Sequence, residues 1–95
     1  QRVIKARERQ AKRFAGTELF SNADMTPAEV RQYCVLDAAS QALMQVAMRQ
    51  MQLTARGYHR VLKLARTIAD LADCEAITQV HLAEALQYRA KEFEF

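Results

Sequence analysis

The chain contains few of the residues that interrupt helices. Its 95 residues include two glycines, one proline and no tryptophan, while apolar residues make up 51% and charged residues 26%. Glycine and proline are the poorest helix formers, so their scarcity favours helices throughout the chain. The length suits one domain with a modest core. We therefore expect a single all-α domain of four to five helices over residues 1–95.

Cysteine, histidine and long apolar runs are also scarce, and each absence excludes a class of protein or site. Cys34 and Cys74 have no CxxC spacing, so we expect both to be reduced and structural, which fits a cytoplasmic protein. His59 and His81 lack the spacing of metal ligands, so no metal site is predicted. No run of about 18 apolar residues and no signal peptide is present, so no contact with a membrane is expected.

The motifs of an independent enzyme are missing as well. No GxxxxGK[ST] loop is present to hold a phosphate, and no acidic run follows an apolar strand. No Ser/His/Asp or Cys/His arrangement has a local signature. We predict no catalytic residue and no enzymatic activity for this chain on its own.

Basic residues are concentrated at the start of the chain and acidic residues at its end. The first helix is predicted over residues 1–15, ended by Gly16, and it begins in helical register without a cap. We expect a linker helix that continues from a preceding domain. The basic start and the acidic end either pair within the molecule or meet different partners. Five basic side chains share an arc of about 100° on this helix: Arg2, Lys5, Arg9, Lys12 and Arg13.

The clearest helix start follows a loop over residues 16–25, in which Leu19 and Phe20 are expected to pack inward. Thr26 is a capping residue, Pro27 suits the first helical position, and Glu29 completes a capping box. This short helix is predicted to end near Tyr33.

Residues 36–52 are predicted to form the central and most buried helix, because only a narrow polar stripe interrupts their apolar surface. Its three methionines are interpreted as core filling, with an adaptable partner groove as the alternative. A last helix, capped by Thr78, follows. The polar stripe comprises Gln41, Gln45, Arg49 and Gln52, and the apolar face of the last helix comprises Leu82, Ala83, Leu86, Ala90 and Phe93.

The helix predicted over residues 55–73 is the most informative element. Thr54 caps it, and Arg56 lies in its first turn. One face of this helix is basic and the other is apolar. The basic face either binds a phosphate or another polyanion, or is a solvated surface without a ligand. The residues within an arc of about 120° are Arg56, His59, Arg60, Lys63, Arg66, Thr67 and Asp70.

The residues from 53 to 89 carry a resemblance to a known family. The motifs are Thr54-Ala55-Arg56, Tyr58-His59-Arg60, Leu64-Ala65-Arg66-Thr67-Ile68-Ala69-Asp70-Leu71, and the closing His81-Leu82, Glu84-Ala85-Leu86 and Tyr88-Arg89. This pattern resembles the C-terminal helical lid of the magnesium-chelatase-related AAA+ ATPases, and within them the ComM-like branch. A weaker match extends over Val3 to Gln10.

The resemblance implies a function that depends on a second domain. In that family an α/β core binds ATP and Mg²⁺, and the lid couples ATP binding and hydrolysis to subunit motion in a ring, here expected to be a hexamer. By position, Arg56 matches the sensor 2 arginine that reaches the γ-phosphate. Arg60 either assists it or forms a salt bridge. Gly57 departs from the expected alanine, and it either lets a phosphate approach or is a tolerated substitution.

Two other interpretations stay open. The chain could be a free-standing nucleic-acid-binding module, since its pI is about 9.1 and two helices, the first and the one over residues 55–73, have basic faces. The five cations of the first helix are the expected DNA contacts. It could also be a helical adaptor without a ligand, in which no single basic residue matters. The resemblance favours the lid, with DNA processing as the expected task of the longer protein.

Overall fold

The computed structural model describes residues 2–17, 19 and 21–92, with side chains described up to Tyr88. The described residues form five helices and contain no strand, which confirms the all-α prediction. A short 3₁₀ turn, Asn22–Asp24, lies between the first two helices. The helices are α1 (Arg2–Arg13), α2 (Pro27–Tyr33), α3 (Ala38–Met51), α4 (Ala55–Leu71) and α5 (Gln79–Glu92).

The segment between α1 and α2 packs inward instead of extending into solvent. Gly16 adopts a left-handed conformation at φ 80°, which a residue without a Cβ accepts at little cost, and α1 ends three residues before it. Leu19 is half-buried against the core, as predicted, whereas Phe20 lies outside the described residues. Asn22 is buried at 1% exposure although the sequence indicated only a loop.

Local capping chemistry explains where three of the helices begin. Glu29 accepts hydrogen bonds from both the N–H and the hydroxyl of Thr26, each at 2.8 Å, so the predicted capping box is confirmed. Thr54 Oγ1 accepts from the N–H of Gly57 at 3.1 Å. Asp37 accepts from the N–H of Ser40 at 2.7 Å, so α3 begins after Asp37 and not at residue 36.

The central helix is α4, and the prediction that residues 36–52 hold this position was wrong. α4 packs against α5, α1, α2 and the 3₁₀ turn, whereas α3 packs mainly against α5. Ala65 and Ala69 of α4 are fully buried, and small residues let neighbouring helices approach closely. On α3, Val46 remains 41% exposed. The apolar surface of α3 is broad, but only one side of it meets another helix.

The remaining core predictions hold in part. Met44 is buried, and Met48 and Met51 are half-buried against the core, so the methionines fill the core as predicted. On α5, Leu82 is buried and Leu86 half-buried, but Ala83 is exposed and Ala85 is buried in its place. Ala90 and Phe93 lie outside the described side chains.

The α5 start has a contact that the sequence did not indicate. Thr78 occupies the predicted capping position, since its carbonyl accepts the first helical hydrogen bond from Leu82. Its N–H donates to Nδ1 of the buried His81 at 3.0 Å. Nδ1 of His81 therefore acts as a hydrogen-bond acceptor at the start of α5.

Truncation of α3 should distinguish its buried side from its broad apolar surface. Met44→Ala should lower the free energy of unfolding by about 2–5 kcal/mol, because Met44 is 1% exposed. Gln45→Ala, an exposed neighbour, should change it by less than about 0.5 kcal/mol. Urea denaturation of both variants measures this. Equal losses would contradict the observed orientation of α3.

Candidate functional site

The first two turns of α4 present two arginines to solvent. Arg56 and Arg60 are exposed, and neither has a hydrogen bond or ion pair with any residue that the structure describes. They lie four positions apart and therefore on one face of the helix. The salt bridge considered for Arg60 is thus not formed within the described part of the chain.

The helix beneath these arginines is rigidly placed. Val61, Leu62 and Ala65 of α4 are at most 4% exposed, so tertiary packing fixes the helix axis. The N-terminal end of a helix carries a positive potential and unsatisfied N–H groups. Two unpaired guanidinium groups beside such an end suit a phosphate or another anion.

The second half of the predicted basic face is not solvated, which corrects the sequence interpretation. Arg66 is 4% exposed and Asp70 is completely buried. Lys63 and Thr67 are half-buried beside the 3₁₀ turn, where Lys63 Nζ donates to the carbonyl of Ala23 at 3.3 Å. The seven residues of this face therefore divide into an exposed start and a buried end.

The buried end is organised around the carboxylate of Asp70. Arg13 donates to both carboxylate oxygens, at 2.8 and 2.9 Å, in the parallel geometry that guanidinium groups favour. Asn22 Nδ2 donates to Asp70 at 2.9 Å and to the Thr67 hydroxyl at 3.0 Å. Arg66, one turn earlier on α4, lies 3.1 Å from Asp70. Asp70 thus joins α1, the 3₁₀ turn and α4.

Arg66 extends this network to the segment after α4. Its two terminal nitrogens donate to the backbone carbonyls of Cys74 and Glu75, each at 2.8 Å. Its Nε is buried and has no partner among the described residues. Arg66 thus orders the α4–α5 connection.

The electrostatics of the network favour the ionised carboxylate. Burial raises the pKa of Asp70. Hydrogen bonds from Arg13 and Asn22 and the charges of Arg66 and Arg13 lower it by more than burial raises it, so this pKa lies below its usual value. Burial lowers the pKa of Arg66, which Asp70 partly offsets. Arg66 still remains charged, because the ordinary pKa of arginine lies far above neutral pH.

The basic face of α1 is largely occupied within the molecule. Of the five cations on this face, Arg13 is used in the buried ion pair with Asp70, and Arg9 binds Asp73 at 2.8 Å. Arg2 Nε donates to the carbonyl of Leu71 at 3.1 Å. The remaining two of the five proposed DNA contacts, Lys5 and Lys12, are exposed and have no ion pair with a described residue.

Sequence analysis missed Asn22 and misplaced Asp70. Asn22 lies in a segment of turn-forming residues, where a buried amide has no sequence signal. Asp70 did carry a signal, since it was an acid at the end of a basic stripe, four residues after Arg66. That spacing indicates an ion pair on a helix but does not show that it is buried.

Among the described residues, no group of three histidine, cysteine or acidic side chains could hold a metal ion. Cys34 and Cys74 are free thiols, and burial raises the pKa of Cys34 to about 11, so this thiol is unreactive. None of the described helices is both long and apolar enough to cross a bilayer.

Comparison with known proteins decides the family. Residues 1–89 match the model of the C-terminal domain of magnesium chelatase subunit ChlI. The chain belongs to this family. The predicted helical lid fold is confirmed by the match and by the five helices.

Curated relatives of this ChlI-type C-terminal domain match nearly all of the chain. Competence protein ComM of Haemophilus influenzae is 42% identical over 90 residues, and uncharacterized protein YifB of Escherichia coli is 41% identical over 90 residues. Both alignments cover 95% of this chain and 17% of the relative, so the chain spans about a sixth of their length. The magnesium-chelatase and ComM relationships predicted from the motifs are therefore confirmed.

Removal of the central carboxylate should destabilise this ChlI-type domain strongly. Asp70→Asn should lower the free energy of unfolding at pH 7 by about 3–5 kcal/mol, because it leaves Arg13 and Arg66 without their counter-charge. The pKa of Asp70 is lowered in the folded state, so its contribution is present above the unfolded pKa of about 4 and is lost as the pH falls below it.

Denaturation of the parent and the variant between pH 2 and pH 7 measures both effects. The matched control is Glu84→Gln, an exposed carboxylate on α5, which should change stability by less than about 0.5 kcal/mol. If Asp70→Asn unfolds like the parent at pH 7, the network does not stabilise the fold.

Proposed function

We propose that the chain is the lid of a ring-forming magnesium-chelatase-related AAA+ ATPase, in which it couples ATP binding and hydrolysis to subunit motion. Membership of the ChlI C-terminal family supports this proposal. The chain covers only 17% of its relatives, so the nucleotide and Mg²⁺ would be held mainly by another part of a longer protein.

The single observation that carries the proposal is the placement of Arg56. It lies in the first turn of α4, is exposed, and has no partner among the described residues. The third arginine of α4, Arg66, is buried and used in structural contacts. An arginine that is free, always charged and fixed by a packed helix suits a phosphate group.

The neighbouring residues refine the assignment. Arg60 follows Arg56 by about one turn on the same face, and it would contribute a second, weaker contact. Gly57 is buried, and its N–H already donates to Thr54. This bond argues against direct phosphate contact by the Gly57 N–H and supports its interpretation as a tolerated substitution.

When bound, ATP supplies a γ-phosphoryl group whose negative charge develops during transfer. The contribution of this chain would be the Arg56 guanidinium, which can donate two parallel hydrogen bonds to phosphate oxygens. The partners of this chain would be the ATPase core of its own subunit and the adjacent subunits of a hexameric ring.

We further propose that the longer protein processes DNA, because one relative is named a competence protein. A free-standing nucleic-acid-binding module has less support. Three of the five cations expected to contact DNA, namely Arg2, Arg9 and Arg13, are used in contacts within the domain. Lys5 and Lys12 remain available for DNA contact.

In the longer protein, Arg56→Ala should lower ATP turnover by about 10²–10³-fold, because one preorganised contact to the developing charge is lost. Arg56→Lys should restore activity only in part, since lysine keeps the charge but not the two parallel donors. Steady-state ATPase measurements and thermal melting of each variant separate catalysis from folding.

The matched control for this experiment is Arg49→Ala. Arg49 is also an exposed arginine without a described ion pair, but it lies at the end of α3. Its removal should leave turnover within about twofold, as should Lys63→Ala, which is nearly two turns beyond Arg56. Wild-type turnover in Arg56→Ala would show that this face of α4 is only a solvated surface.

The 95-residue chain alone should hydrolyse no ATP and should bind duplex DNA weakly. Any binding should weaken steeply as the salt concentration rises, because it would depend on a few phosphate contacts. Fluorescence anisotropy of the parent chain and of a Lys5→Ala/Lys12→Ala variant tests this. Tight, sequence-specific binding at physiological salt would favour the nucleic-acid-binding module instead.

A further inference from the structure

The attachment of α1 to the rest of the domain is uneven along its length. Within α1 only Ala6 is buried, and Phe14 is buried immediately after the helix ends. Val3 and Ile4 are 48% and 54% exposed, so the first turn contributes little apolar packing. Apart from Ala6, whose side chain is a single methyl group, the buried apolar area of this segment is therefore that of Phe14, just beyond the C-terminal end of α1.

The C-terminal end of α1 is anchored. The side chain of Arg13 is 13% exposed, and it binds the fully buried Asp70 with two hydrogen bonds. Phe14 packs edge-on against Tyr33 of α2, with ring centroids 5.5 Å apart. A buried ion pair is screened little by salt, so this end should stay in place at any ionic strength.

Gln10 belongs with the anchored end, because its side chain accepts a hydrogen bond from the N–H of Asn22 at 3.0 Å. Before Gln10, the first turns of α1 are held by the small buried side chain of Ala6 and by exposed polar contacts. Arg9 binds the Asp73 carboxylate at 2.8 Å and donates to the Asp73 carbonyl at 3.2 Å. The Asp73 side chain is 56% exposed and that of Arg9 is 28% exposed. Arg2 adds one hydrogen bond, to the carbonyl of Leu71. Exposed ion pairs contribute little to stability and weaken with salt.

We propose that α1 is a hinged arm. Residues 2–9 undock reversibly from the C-terminal end of α4, while Gln10, Arg13 and Phe14 remain anchored and act as the pivot. The Arg9–Asp73 ion pair stabilises the docked position of this arm. This motion belongs to the 95-residue chain and does not depend on the role proposed for Arg56.

A second feature of the anchor permits this motion. Asp70 keeps Arg66 and Asn22 as partners from its own side of the interface, at 3.1 and 2.9 Å. Strain transmitted to Arg13 by an opening arm therefore does not leave the buried carboxylate without a counter-charge. Local opening of this kind is reported by amide hydrogen exchange, which resolves segments that open before the whole domain unfolds.

The test is hydrogen exchange of the 95-residue chain and of its Asp73→Asn variant. Asparagine adopts positive φ readily, so the variant keeps the backbone at φ 60° and removes only the charge. Exchange of amides 6–9 should rise by about fivefold, the upper range for loss of an exposed ion pair. Exchange of amides 61–69 in α4 should stay unchanged. Raising salt from about 0.01 M to about 1 M should have the same selective effect on the parent.

The matched control is Glu75→Gln, which removes the same charge two residues away. Glu75 is exposed, and its carboxylate makes no hydrogen bond with a described residue. Its effect on amides 6–9 should be clearly smaller than that of Asp73→Asn. The proposal is overturned if amides 6–9 exchange only together with α4, if both variants act equally, or if Asp73→Asn accelerates α4 as much as α1.

Discussion

The domain depends on one buried carboxylate held between two arginines. Asp70 has no solvent exposure, and it receives hydrogen bonds from Arg13 of α1 and Asn22 of the 3₁₀ turn, with Arg66 of its own helix 3.1 Å away. A buried charge is tolerated only when it is paired and hydrogen-bonded. Asp70 thus contacts α1 and the turn before α2 directly, and its partner Arg66 contacts the connection after α4.

This constraint divides α4 into two functional parts. At its C-terminal end the charged residues are used for structure, because Arg66 and Asp70 bind neighbouring segments. At its N-terminal end Arg56 and Arg60 are exposed and unpaired among the described residues. The buried end fixes the helix so that the exposed end presents its arginines from a rigid support. Only this exposed end is available to a ligand or to another domain.

Sequence analysis predicted the local structure well and the packing less well. The capping box of Thr26 and Glu29 and the cap at Thr54 were correct, since such signals act within one turn. The choice of the central helix was wrong, because a broad apolar surface on α3 does not reveal which side meets a neighbour. Two alanines of α4, Ala65 and Ala69, are completely buried on the side of the helix that packs against its neighbours.

The sequence by itself determined the helices, the starts of α2, α4 and α5, the family and the candidate arginine at the first turn of α4, because these depend on residues close together in the chain. Only the tertiary structure decided which cations are free. Arg13 and Asp70 are 57 positions apart, and their pairing depends on how α1 lies against α4. Periodicity shows that side chains share a face, but burial of that face depends on distant segments, and burial separates a structural arginine from an available one.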